Sequence, residues 1–199
     1  MKTTALMIPA VALTLAACSA TAGAGSAGPA NPAAVPYAAG QAGNAAAGQA
    51  GNDADVRFSQ EMIPHHWQAI QIAALASDRG SDPYVRKLAR EITENEAADI
   101  RVMSGWLRSW GKPVPSGDLG SGHDMPGMIS QTQILALEGR SGADFDRLWL
   151  TVLAKHLDSG IAMAEKVLGA GTHPGTRDLA KKIVTTQRAE IAQITDRLG

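Results

Sequence analysis

The sequence predicts an all-α domain, a four-helix bundle made of two repeated helical hairpins. Three observations support this fold class. Aromatic residues make up only 4% of the chain, and no segment alternates polar and apolar residues as a strand does. Gly and Pro occur in short clusters between long segments of helical periodicity. One half of the domain also resembles the other, and two hairpins with apolar faces bury those faces against each other.

The N-terminal part of the chain predicts an export signal followed by a tether. Lys2 precedes an apolar segment that is too short to span a bilayer and that ends at Leu-Ala-Ala-Cys. This arrangement is typical of a bacterial lipobox, so residues 1–17 are predicted to be a lipoprotein signal peptide with lipidation at Cys18. The alternative is an ordinary signal peptide with an incidental cysteine. Residues 18–52 are rich in Ala, Gly and Pro, which predicts a flexible tether.

The predicted folded domain covers residues 53–199 and contains two copies of one pattern, at about 53–110 and 142–199. The copies match at a constant offset of 91 without a gap, and His65 falls on His156. Agreement of this extent is unexpected by chance, so we interpret the domain as two copies of one helix pair.

Capping residues and helix breakers predict where the helices begin and end. Asp82 before Pro83 is an N-cap followed by proline at the first helical position. Ser141 and Asp144 have the spacing of a capping box. The predicted helices cover about residues 53–77, 83–110, 130–138, 141–168 and 174–199.

The sharpest chemical motif is Met62-Ile-Pro-His65-His66 on the first predicted helix. Met62 lies three and four positions before the two histidines, so the three side chains project from one side of the helix. A thioether and imidazoles are ligands that soft or borderline metal ions prefer. The alternative is that the histidines are ordinary interior residues and that Met62 only fills the core.

Further candidate ligands come from the second copy and from the Gly/Pro-rich link between the copies. His156 recurs at the position that matches His65, and a methionine follows it two turns later. The link contains one histidine and two methionines within six residues. The candidate metal ligands are Met62, His65, His66, His123, Met125, Met128, His156 and Met163.

The segments MIPHHWQAIQIA and FDRLWLTVLAKHLDSGIAMA, with GMIS between them, resemble the family catalogued as domain of unknown function 305. The resemblance covers the domain from Asp53 to Leu198. It implies a ferritin-like four-helix bundle, often exported, and some members are periplasmic copper-binding proteins linked to copper resistance. The candidate ligands fall on ligand-type positions of the family. The second copy departs from the family's Met-Met-Ile-x-His-His at residues 152–157, which implies fewer ions, weaker binding or an asymmetric site.

The expected function is an extracytoplasmic metal-binding lipoprotein, anchored to the membrane by lipid on Cys18. We expect it to capture copper, as Cu(I) or Cu(II), for buffering, resistance or delivery, with zinc as another option. A net charge of −1 and the absence of a basic cluster argue against nucleic acid as a partner. No protein partner is indicated.

Two other functional classes were weighed against copper capture. A ferritin-like di-iron oxidase would use Glu-x-x-His pairs, but no histidine here has an acidic residue three positions before it. We therefore expect a binding protein and not an enzyme. The remaining alternative is a metal-free, anchored helical interaction module.

Overall fold

The computed structural model of the chain describes residues 50–117 and 127–199. The predicted signal peptide, the lipidation site Cys18 and nearly all of the tether lie outside these ranges. So do the candidate ligands His123 and Met125. No helix in the described ranges is both long enough and apolar enough to cross a membrane.

The described residues contain helices and no strands, which confirms the predicted all-α class. The helices are α1 (Asp53–Arg79), α2 (Pro83–Ser109), α3 (Gln131–Glu138), α4 (Gly142–Ala170) and α5 (Pro174–Leu198). The four long helices form the predicted four-helix bundle. α1 pairs with α2, α4 pairs with α5, and α1 packs against α4 to join the two hairpins. The helix ends keep the offset of the two sequence copies, although the repeat itself stays a prediction.

The helix starts follow the capping rules with one exception. At α1, the side chain of Asn52 accepts from the backbone of Asp55, whose carboxylate accepts from the Asn52 N–H, so a capping box forms. The capping box predicted at Ser141 and Asp144 is wrong, because the Ser141 side chain makes no cap hydrogen bond. The reason lies in the backbone. Gly142, the first residue of α4, has φ of +63°, outside the right-handed helical range that a cap requires.

Each hairpin turn is held by a carboxylate from the other hairpin. Asp146 of α4 accepts hydrogen bonds from the N–H groups of Ser81 and Asp82, at 3.1 and 2.9 Å. Asp55 of α1 accepts from the N–H groups of Thr172 and of the next residue, at 3.0 Å each. The first turn of α1 therefore lies at the end of α4, and the first turn of α4 lies at the end of α1. The two helices are antiparallel.

The core consists of two apolar clusters separated by buried polar side chains. One cluster contains Ala69, Ile92 and Trp149, and the other contains Ile63 and Ile100. Every long helix contributes to the layer between them, which we call the polar layer. The polar layer consists of His65, His66, Glu96, Asp99, His156 and Gln187.

We expect Asp146→Ala to lower the free energy of unfolding by about 2–3 kcal/mol, because the N–H groups of Ser81 and Asp82 lose their acceptor. Urea unfolding followed by circular dichroism measures this difference. Asp144→Ala is the matched control, since Asp144 is an exposed acid on the same turn of α4. Its effect should stay within about 0.5 kcal/mol. Equal losses in the two variants would show that the carboxylate does not hold the turn.

Candidate metal centre

The polar layer begins on α1 at the motif that the sequence singles out. Pro64 lies inside the helix, and the two histidines after it are buried, with 1% of His65 and none of His66 exposed. Met62, one turn earlier, is also fully buried and packs in the apolar cluster beside the layer. On α4, His156 is 1% exposed. The fold therefore brings three predicted ligands, the three histidines, into one layer.

The rings of His65 and His156 stack face to face at the contact between α1 and α4. Their centroids lie 3.7 Å apart, and the ring planes differ by 8°. Nε2 of His156 donates to the carbonyl oxygen of His65 at 3.1 Å. Nε2 of His65 lies 2.8 Å from Oγ of Ser159. Nδ1 of each ring is buried and has no hydrogen-bond partner in the part of the chain that the structure describes.

Burial makes both stacked rings neutral at neutral pH. It lowers the pKa of His65 well below its ordinary value, and the neighbouring rings of His156 and His66 lower it further. Burial also lowers the pKa of His156 to about 4, although the backbone carbonyls of His65 and Gly127 oppose this shift. A neutral imidazole keeps a lone pair on one nitrogen, which is the form that binds metal ions.

His66 has a different environment from the stacked pair. Its Nδ1 forms an ion pair with Glu96, and its Nε2 lies 3.8 Å from a carboxylate oxygen of Asp99. Burial alone would lower the pKa of His66, but Glu96 and Asp99 outweigh burial and the net effect raises it. Lys182 completes the group through an ion pair of 2.8 Å with Asp99. In this structure both ring nitrogens of His66 face carboxylates, so neither is available to bind a metal ion.

The matching positions in the second hairpin have lost this charge arrangement. Leu157 stands where the first copy has His66, and Gln187 stands where it has Glu96. The Gln187 amide donates to Glu96 across the α2–α5 contact at 3.4 Å. Gly160 of α4 leaves room for the Gln187 side chain, because a Cβ at this position would lie 2.7 Å from Oε1 of Gln187. The charged groups of the polar layer are therefore arranged asymmetrically, while the expectation of fewer ions, weaker binding or an asymmetric metal site stays a prediction.

The two remaining predicted ligands within the described residues, Met128 and Met163, lie outside the polar layer. Met128 is half-buried and follows Gly127, whose carbonyl oxygen lies 3.2 Å from the Ser159 hydroxyl. Met163 is half-buried in a surface groove, beside Phe58 and Glu61 of α1. As ligands, both methionines stay predictions.

Imidazole nitrogens and thioether sulfurs are donors that suit a soft metal ion, but those that the structure describes are not arranged around one common point. Within residues 50–117 and 127–199, no group of three or more His, Cys, Asp or Glu residues is arranged to hold a metal ion. The lone pairs of an imidazole lie in the ring plane, so two stacked rings cannot both direct a nitrogen at one ion between them. Joint binding by His65 and His156 therefore requires that the stack open.

Several residues of this centre were missed or left undecided by the sequence analysis. Ser159 was missed, although it lies one turn after His156 on the same helix. Glu96 was missed as well, although it matches Gln187 at the offset of the two copies. The sequence alone does not decide where the Asp99 carboxylate points, and the structure buries it beside His66.

Glu190 provides a test of the asymmetry of the layer. Burial raises the pKa of Glu190 to about 8, with further contributions from Glu96 and Glu91, while Lys182 opposes the shift. The folded protein thus holds a proton on Glu190 that the unfolded chain releases at lower pH. Its contribution to stability is complete below the ordinary pKa of 4.5 and is lost as the pH rises through about 8.

We therefore expect Glu190→Gln to raise the free energy of unfolding relative to the wild type at about pH 9 and to change it little at about pH 4. Urea unfolding across this pH range measures the difference. Glu94→Gln on the exposed face of α2 is the control for the loss of one negative charge. If Glu190→Gln changed the free energy of unfolding by the same amount at about pH 4 and about pH 9, the raised pKa of Glu190 would be refuted.

Comparison with known proteins assigns the chain to a family. The family model described as "Domain of unknown function (DUF305)" matches residues 55–198. A candidate secreted DUF305 protein from Streptomyces coelicolor is 31% identical, with a TM-score of 0.66 over 73% of this chain and 91% of that chain. A DUF305 fragment from Deinococcus radiodurans is 30% identical, with a TM-score of 0.68 over 76% of this chain and 99% of the fragment. No curated protein sequence matches significantly.

A third similar structure is CopM in its Cu(II)-bound form. It is 30% identical, with a TM-score of 0.64 over 72% of this chain and 95% of CopM. CopM is also similar to this chain in its silver-bound and Cu(I)-bound forms. The family match extends over the whole bundle, and the similar structures share its fold. The chain belongs to the DUF305 family.

Proposed function

We propose that this protein captures copper outside the cytoplasm through a centre built on His65 and His156. One observation carries the proposal. Two neutral imidazoles meet in the middle of the bundle, and the Nδ1 atom of each is buried without a hydrogen-bond partner among the described residues. Buried polar atoms are normally paired, so two unpaired nitrogens on stacked rings require an explanation, and binding of a metal ion would supply one.

The charge balance around the rings favours a soft, monovalent ion. The two imidazoles are neutral, and Met62, a candidate ligand that lies about one turn before His65 on α1 and is fully buried, offers a neutral thioether. An ion in such a site keeps its whole charge in the low-dielectric core, and a single charge is less unfavourable there than a double charge. Thioether and imidazole ligands suit Cu(I), whereas zinc sites use Cys, His and carboxylates. The copper-bound forms of CopM agree with this choice of metal.

The other predicted ligands would add to this pair in different ways. His66 would first have to give up its ion pair with Glu96, so we assign it a supporting role. Met128 follows Gly127, whose carbonyl oxygen contacts Ser159 beside the layer, and it is therefore a candidate additional ligand. His123 and Met125 of the link and Met163 of α4 remain candidate ligands from the sequence.

We further propose that the protein acts in binding, for buffering, resistance or delivery, and not in catalysis. The lipobox-like segment ending at Cys18 and the tether at 18–52 would anchor the bundle to the outer face of the cell membrane. The similarity to a candidate secreted protein supports a location outside the cytoplasm.

The proposal predicts that the full-length chain binds Cu(I) and that the double variant His65→Gln/His156→Gln binds it at least about 100-fold more weakly. Substitutions of residues that only support a metal ligand already weaken binding 10- to 100-fold. His66→Gln should have a smaller effect, about tenfold. Competition with a chromogenic Cu(I) chelator measures these affinities, and circular dichroism checks that each variant is folded.

His173→Asn is the matched control, because it removes a buried histidine that lies beside Trp106 and Trp110 and not in the polar layer. His173 is the N-cap of α5, and asparagine is a good N-cap residue. This variant should retain wild-type copper affinity. Equal Cu(I) affinity in the wild type and the double variant would refute the proposed centre. An absence of copper binding in all of the proteins would favour the metal-free interaction module.

A further inference from the structure

The hydrogen bonds around the two stacked rings determine which nitrogen of each ring carries the proton. A neutral imidazole has one N–H donor and one nitrogen with a lone pair. Nε2 of His156 lies 3.1 Å from the carbonyl oxygen of His65, and a carbonyl oxygen can only accept. The proton of His156 is therefore on Nε2, and its Nδ1 carries the lone pair.

The position of the proton on His65 depends on Ser159. Oγ of Ser159 lies 2.8 Å from Nε2 of His65 and 2.7 Å from the carbonyl oxygen of His156. The hydroxyl has a single proton, and only its donation to the carbonyl satisfies that short contact. Its oxygen must then accept from Nε2–H of His65. The Gly127 carbonyl, 3.2 Å from the Ser159 hydroxyl, can also only accept that proton. In either case the hydroxyl donates to a carbonyl and its oxygen accepts from Nε2–H of His65.

The opposite arrangement at His65 is unfavourable for a physical reason. If Ser159 donated to Nε2, the proton of His65 would lie on Nδ1. That atom is buried and has no acceptor among the described residues. A buried N–H group without an acceptor is destabilising, so the form with the proton on Nε2 is preferred.

We propose that Ser159 is a positioning residue that holds His65 with its proton on Nε2, so that Nδ1 of His65 and Nδ1 of His156 are the metal-binding nitrogens. The second half of this statement rests on the proposed copper function. Each ring N–H is bonded to the backbone carbonyl of the other histidine, directly from His156 and through Ser159 from His65. Bonds of this kind fix the tautomer of metal-binding histidines, and the tautomer decides which nitrogen is free to bind once the stack opens.

The place of Ser159 in the fold suits this role. It lies one turn after His156 on α4, so its hydroxyl reaches back to the His156 carbonyl within the helix. The link passes close to Ser159 at Gly127, where φ is +89° and a Cβ would lie 2.2 Å from Cβ of Ser159, so only glycine fits there.

The first test is nitrogen-15 NMR of the imidazole rings in the metal-free, full-length chain. We expect both rings to carry the proton on Nε2 in the wild type. In Ser159→Ala, His65 should lose this preference and become a mixture of tautomers, while His156 stays unchanged. A proton on Nδ1 of His65 in the wild type, or an unchanged His65 tautomer in Ser159→Ala, would overturn the role of Ser159.

The second test adds Cu(I) or Ag(I), which are diamagnetic and leave the spectra observable. We expect Nδ1 of both rings to shift on metal binding, and Ser159→Ala to lower Cu(I) affinity about 10- to 100-fold. Thr151→Ala is the matched control, because Thr151 is a hydroxyl residue of α4 that donates to the Arg147 carbonyl at 2.8 Å. It should leave both the affinity and the tautomers unchanged.

The outcomes separate this inference from the proposed function. Metal-induced shifts at Nε2 in place of Nδ1 would overturn the assignment of the binding nitrogens while leaving copper capture intact. An absence of any metal binding would overturn the proposed function and the assignment that rests on it. The tautomers of the metal-free protein would still decide whether Ser159 positions His65.

Discussion

The polar layer in the middle of the bundle constrains how the four long helices pack. A buried polar group without a partner is unfavourable, and most members of the layer find their partners on another helix. His156 of α4 bonds to the backbone of α1, His66 of α1 pairs with Glu96 of α2, and Gln187 of α5 bonds to the same glutamate. A shift of one helix along its neighbour would break these contacts together. The layer and the carboxylate-held turns therefore define the same register.

The two hairpins use the layer differently, and the difference is electrostatic. In one half, His66 and Lys182 supply positive charge beside Asp99, so a buried carboxylate has partners. In the other half, Leu157 stands in place of His66, and Glu91 stands in place of Lys182. Burial raises the pKa of Glu190, and the neighbouring carboxylates Glu96 and Glu91 raise it further. The stacked rings lie between these halves and have similar hydrogen bonding, because His156 bonds to the His65 carbonyl directly and His65 bonds to the His156 carbonyl through Ser159.

The sequence predicted the helices well because their signals are local. Asp82 before Pro83 marks the start of α2. The constant offset between the two copies identifies His156 as the counterpart of His65. The failures involve information that is not local. The cap at Ser141 failed because the backbone of Gly142 takes a positive φ, which residue type alone does not dictate. The contacts of Glu96 depend on which faces of α2 and α5 meet, and helical periodicity does not specify how the faces of two helices pair.

The stacked pair is difficult to explain by stability alone. Each ring anchors Nε2 in a hydrogen bond and leaves Nδ1 buried without a partner among the described residues. Replacing buried polar groups by apolar groups of similar shape is often neutral or stabilising, and the chain makes this replacement at Leu157, next to His156. A bundle that needed only a filled core would gain by the same change at His65 and His156. The burial of the two unpaired nitrogens therefore supports the proposal that they bind a ligand, and their neutrality suits a soft cation such as Cu(I).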